Sequence, residues 1–145
     1  MKVFDYEHIE VGEDLGGRTI AITDALIDDY TAAVGATHAW YTGASPFGGR
    51  IAPPTIFDNE CLRILDTRYA RFGSIHARQT WSFLKPVPVG STVRVNVRIV
   101  EKFVKREKGW LVMELTATDQ HGDIVCRGLH TSVVSLVKKA AAHGA

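Results

Sequence analysis

From Ser74 onward the chain alternates apolar and polar positions through four successive runs. The plainest is Val93, Val95, Val97 and Ile99 interleaved with Arg94, Asn96 and Arg98. A period of two puts all four apolar side chains on one face of a β-strand. The run before it, Ile75 to Leu84, carries Trp81 and Phe83 and ends at Lys85-Pro86-Val87-Pro88-Val89-Gly90, whose prolines cannot donate to a central ladder. After it, Lys108-Gly109 reads as a turn into Leu111, Met113, Leu115 and Ala117, which alternate with Val112, Glu114 and Thr116. Asp119-Gln120-His121-Gly122-Asp123 is a hairpin signal. A fourth β-rich run covers Ile124 to Leu136, and the tail KKAAAHGA is expected to fray.

Upstream the period becomes helical. The segment to Gly17 reads as an extended lead-in on the surface, and Arg18 to Ile22 as a short strand. Thr23 is a good N-cap, Asp24 follows in the first turn, and Ile27, Tyr30 and Val34 share a face until Gly35 stops the helix. Ala36 to Ser45 has no sustained period and is expected as a loop or a broken helical turn. Phe47-Gly48-Gly49-Arg50 is a flexible loop whose glycines allow positive φ or close approach to a ligand. Pro54 suits the first turn of a helix. Ile56, Phe57, Cys61, Ile64 and Leu65 then recur at helical spacing, predicting a helix over 54–67 and a connector over Tyr69–Gly73. A helix start presents free N–H groups and a partial positive charge.

Long antiparallel strands following one buried helix predict an α+β fold, a curved sheet wrapped around a central helix. The open edge of such a sheet predicts a dimer with a continuous sheet. The 145 residues fit a single domain over 1–145. A net charge of +1 gives no electrostatic case for nucleic acid or an acidic membrane. No apolar run approaches a membrane span, and the N-terminus is acidic where a signal peptide would be apolar, so the expected compartment is the cytoplasm. Cys61 and Cys126 read as buried thiols. The six histidines show no pair at ligand spacing, so no metal is expected. No G-x-S-x-G motif occurs to mark a serine nucleophile.

These residues carry a resemblance. The helix, the loop ending Phe47-Gly48-Gly49-Arg50-Ile51-Ala52-Pro53-Pro54-Thr55, the strand opening Ile75-His76-Ala77-Arg78-Gln79, and the Pro-Val-Pro-Val-Gly turn resemble the hotdog-fold MaoC-like acyl-thioester dehydratases, specifically the FAS1-like N-terminal dehydratase branch. The resemblance spans about residues 5–137. It implies a single hotdog domain that binds an acyl-CoA or acyl-carrier-protein thioester and needs no cofactor. Active hydratases of this group carry Gly-Asp-x-Asn-Pro-x-His after the first helix, the Asp and His positioning water and moving protons. Here that stretch reads Gly35 to Tyr41, with Ala36 at the Asp position and Tyr41 at the His position. Alanine has no acid–base group, and an unperturbed tyrosine is a poor base at neutral pH. Where the family places an oxyanion-binding glycine, this chain has Pro54, which lacks the N–H.

The resemblance therefore implies a subunit of an enoyl hydratase or 3-hydroxyacyl dehydratase system that lacks the usual dyad. It would be a homodimer, or a heterodimer with a dyad-bearing MaoC-like subunit. One alternative is a self-sufficient homodimeric hydratase using His38, Asp58, Glu60 or His76. Another is a hotdog thioesterase or acyl-CoA binding module. The catalytic candidates are His38, Tyr41 and Asp58, His38 being either a substitute base or a solvated loop histidine. The candidate substrate-binding residues are Trp40, Phe47, Gly48, Gly49, Ile51, Thr55 and His76. Asp58, Asn59 and Glu60 begin the second turn of the central helix. A carboxylate facing inward there must be paired or functional, and the pattern leaves open which one does.

Overall fold

The alternating valines do what their period dictates. A computed structural model of the chain describes residues 1–134. In it Thr92–Lys105 forms strand β5, and Val93, Val95, Val97 and Ile99 are buried on one face. Lys108–Asp119 forms β6, burying Leu111, Met113, Leu115 and Ala117 on the same side. With Asp14–Ala21 (β2), Ile75–Phe83 (β4) and Ile124–Val134 (β7) they make an antiparallel sheet in the order β2-β5-β6-β7-β4. Residues 135–145, which include the end of the fourth run and the tail, lie outside the described residues.

The caps of the first helix are confirmed, but its buried face carries Ile27 and Thr31, and Val34 is exposed. Helix α1 spans Asp24–Val34; the Thr23 hydroxyl accepts from Leu26 N, and Gly35 closes the helix in the left-handed conformation at φ 69°. Ala39–Thr42 is a one-turn helix, α2, capped by the His38 ring. The central segment differs from the predicted continuous helix. Pro54–Phe57 is a 3₁₀ turn, Asp58 and Asn59 interrupt it, and Glu60–Leu65 forms the short helix α3. Phe57, Cys61, Ile64 and Leu65 are still buried. The break leaves Asp58 on the side of Trp81, whose indole N–H donates to its carboxylate at 3.3 Å, and Glu60 faces inward.

Three expectations need correction. The lead-in is not a surface strap: Phe4 and Ile9 are buried, and Lys2–Val3 (β1) pairs in parallel with Tyr69–Ala70 (β3). Lys102 Nζ fastens it further, donating to the carbonyls of Tyr6 and Ile9 at 3.2 and 2.9 Å. Second, the strand expected from Arg18 begins at Asp14, with a bulge beside Gly16. Third, the β5–β6 turn lies at Arg106-Glu107, not at Lys108-Gly109. Both turn residues have positive φ, 52° and 59°, as a two-residue hairpin with matching twist requires. Gly109 is instead a strand residue where Tyr6 lies so close that an added Cβ would stand 2.8 Å from the Tyr6 Cβ and 2.9 Å from its ring.

Candidate functional site

The loop between α1 and the central segment is held from both sides. Ile51 N donates to Trp40 O at 3.1 Å, Ala52 N to Val87 O at 2.9 Å, and Val89 N to Arg50 O at 2.8 Å. The proline turn after β4 therefore serves as the backbone partner of the segment leading into Pro54. Arg50 clamps the other side, donating to Tyr41 O and to the carboxylates of Asp24 and Asp28 on α1. Gly48 and Gly49 take positive φ, 90° and 113°, in the intervening turn, which Ser45 closes against Gly49 O. That conformation is open to glycine at little cost.

These constraints leave a cavity of about 280 Å³ at the start of the central segment. Trp40, Tyr41 and Phe47 form one wall, Ile51 to Pro53 with Phe57 form the floor, and Pro54 is exposed at the mouth. Phe83 to Val87, Val125 and Cys126 close the far side. Trp40 and Phe47 meet edge to face with centroids 5.4 Å apart, and both are exposed at the mouth together with Phe83 and Leu84. An apolar rim of this kind marks a binding surface.

The electrostatics of this cavity do not favour proton transfer. Among its described lining residues the titratable ones are Tyr41, Lys85 and Cys126. Burial pushes the Cys126 thiol up to about 12, so it stays neutral and serves as apolar wall. Lys85 is bound by Asp119 and Asp123 at 2.7 and 2.8 Å. Those hydrogen bonds hold its ammonium above the ordinary lysine range. The chemistry on offer is burial of an apolar chain beside a backbone turn.

The candidate residues separate into groups. Trp40, Tyr41, Phe47 and Ile51 line the cavity, and Gly48 and Gly49 lie in the turn beside it. His38 is spent on capping α2 and packs against Trp40 and Tyr41 at centroid distances of 5.0 and 5.5 Å. Thr55 faces α1, where its carbonyl and hydroxyl oxygens meet Tyr30 Oη at 2.9 and 2.8 Å. Asp58 holds the Trp81 indole, and Glu60 pairs with Arg63 on the other side of the segment. The far wall went unassigned in the sequence, because Phe83 and Cys126 become neighbours only through the β4–β7 register.

His76 lies elsewhere, stacked on His130 with centroids 3.8 Å apart. Burial first, then the charges of His76 and Arg71, press the His130 imidazole down to about 4. The unfolded chain takes up a proton near pH 6.5, whereas folded His130 does so only near pH 4. Unfolding therefore binds a proton between those values, and stability falls as pH drops through the window. We expect this group to remove about 2 kcal/mol between pH 7 and pH 5. Urea unfolding at both pH values, with His130→Gln as reference, checks this: equal losses in the two proteins would assign the effect to other groups.

No protein-family model and no curated protein sequence matches the chain. Its fold is nonetheless that of the hotdog R-hydratases and MaoC-like dehydratases. The R-hydratase PhaJ1 from Pseudomonas aeruginosa is 22% identical, with a TM-score of 0.76 over 99% of this chain and 96% of that one. The monoamine oxidase regulatory protein from Archaeoglobus fulgius is 20% identical, with a TM-score of 0.80 over 94% and 97% of the two chains. The HadBC 3R-hydroxyacyl-ACP dehydratase complex from Mycobacterium tuberculosis is 18% identical, with a TM-score of 0.69 over 85% and 99%. Among the described residues no helix is long and apolar enough to cross a membrane.

Proposed function

We propose that the chain is an acyl-thioester-binding hotdog subunit of an enoyl hydratase or 3-hydroxyacyl dehydratase system. A dyad-bearing MaoC-like partner supplies the Asp and His whose positions Ala36 and Tyr41 occupy. The observation that carries this reading is the apolar cavity at the start of the central segment, walled by aromatic rings and poor in groups able to exchange protons near neutral pH. The acyl chain enters between Phe57 and Cys126, and the thioester stays at the mouth near Pro54. Ala36 offers no side-chain proton, and its N–H is already bonded to Thr31 O at 3.0 Å. The β4 edge supports assembly: its side chains are mostly exposed, including Ile75 and Phe83, and its outer backbone is unpaired among the described residues. A neighbour of this fold, HadBC, is itself a complex.

The test is a hydration assay with crotonyl-CoA and a medium-chain enoyl-CoA, using the chain alone and mixed with a dyad-bearing MaoC-like protein. Alone, the chain is expected to bind, seen as thermal stabilisation, with turnover near background. The mixture is expected to turn over. Full turnover by the isolated chain would overturn the dependence on a partner.

A further inference from the structure

Behind Phe57, on the side away from the thioester cavity, α1 and the central segment leave a second cavity of about 300 Å³ over β2. Its walls are largely apolar, with Ile20, Leu26 and Ala33 facing Ile56 and Phe57. The Tyr30 hydroxyl ties α1 across it to Thr55. Glu60 belongs to the same cavity and is 4% exposed. Arg63 Nη1 donates to its Oε1 at 3.1 Å. Arg18 Nε stands 3.5 Å from Oε2, close enough for ion pairing, yet among the described residues Oε2 is buried without any hydrogen bond. A buried carboxylate oxygen lacking a donor is costly, and such groups are as a rule satisfied.

The charges restrict what can supply that donor. The side chains of Arg18 and Arg63 are 47% and 57% exposed, and their remaining N–H groups have no acceptor among the described residues. A metal or organic cation would meet two guanidinium groups. A polyanion would meet Glu60 and also Asp29, which lines the same cavity. The four side chains already balance to zero, so net charge does not choose the ligand; the unsatisfied groups do, the free guanidinium N–H groups calling for an acceptor and Glu60 Oε2 for a neutral donor. Because Arg18 touches Glu60, the two ligand groups must be close together on one end of the molecule.

We propose that this cavity is a second small-molecule site, taking a compact hydroxy acid. The hydroxyl donates to Glu60 Oε2, the carboxylate accepts from Arg18 and Arg63, and the apolar body lies between α1 and Ile56. Arg18 moves outward to admit it. Phe57 separates this site from the thioester cavity, so the two are occupied independently.

The probe is 3-phenyllactate, titrated at millimolar concentration into the ¹⁵N-labelled chain and followed by amide shifts. Saturable shifts are expected at Leu26, Asp29, Ala33 and Arg63. 3-Phenylpropanoate, which lacks the hydroxyl, and 3-phenylpropanol, which lacks the carboxylate, are each expected to bind about tenfold more weakly. Ala33→Trp fills the cavity from an exposed position on α1 and should abolish the shifts, whereas Ala52→Leu, in the other cavity, should leave them unchanged. No saturable shift at these residues would overturn the proposal. So would equal binding of all three compounds, or binding that survives Ala33→Trp.

Discussion

Replacing Phe57 with alanine is expected to cost about 4 kcal/mol, a large part of the stability that a domain of this size has to lose. Phe57 ends the 3₁₀ turn at 2% exposure, packed in the core that the sheet covers. It also lines both cavities. The wall between two cavities cannot be replaced by collapse of its neighbours, since each side already borders space, so the removed ring leaves one continuous void. For a domain of this size the loss corresponds to a fall in Tm of about 10 °C. Phe57→Leu keeps most of the volume and should cost about 1 kcal/mol. Urea and thermal unfolding of both variants measure the difference. A loss below about 1 kcal/mol for Phe57→Ala would mean the ring contributes little packing.

Ala52→Leu should impair binding of long acyl chains while sparing short ones. Ala52 is buried, lines the aromatic-walled cavity, and is fixed by its N–H bond to Val87 O. Leucine adds three carbons to the wall and displaces about three methylenes of a bound chain. At about 0.8 kcal/mol for each methylene this is about 2.4 kcal/mol, or about 50-fold in Kd. Isothermal titration with octanoyl-CoA and acetyl-CoA checks it, because only the longer chain reaches the altered wall. Unchanged octanoyl-CoA affinity would show that the chain does not enter between Phe57 and Cys126.

Much of the fold was legible where the signal is local. Thr23 and Gly35 bracket α1 because capping involves only residues within a turn of them. Val93 to Ile99 could be placed on the buried face because a strand has only two faces. The Arg106-Glu107 turn was missed because neither residue is a usual carrier of positive φ, while Gly109 looked like a turn and is required by Tyr6 instead. The lining of the first cavity was legible on one side only. Trp40, Tyr41, Phe47 and Ile51 lie close in sequence, whereas Phe83 and Cys126 reach the cavity through strand pairing across more than forty residues.

The sequence by itself determined the strand faces, the limits of α1, the proline-led start of the central segment and the lack of a carboxylate at position 36, since each depends on a residue and its near neighbours. Tertiary structure alone decided that Phe4 and Ile9 are core, that Asp58 and Glu60 face opposite surroundings, and that Phe57 divides two cavities. Those outcomes follow from which surfaces remain apolar and uncovered once the sheet has closed around the segment. Burial of that kind is a property of the packed whole, shared among residues far apart in the chain.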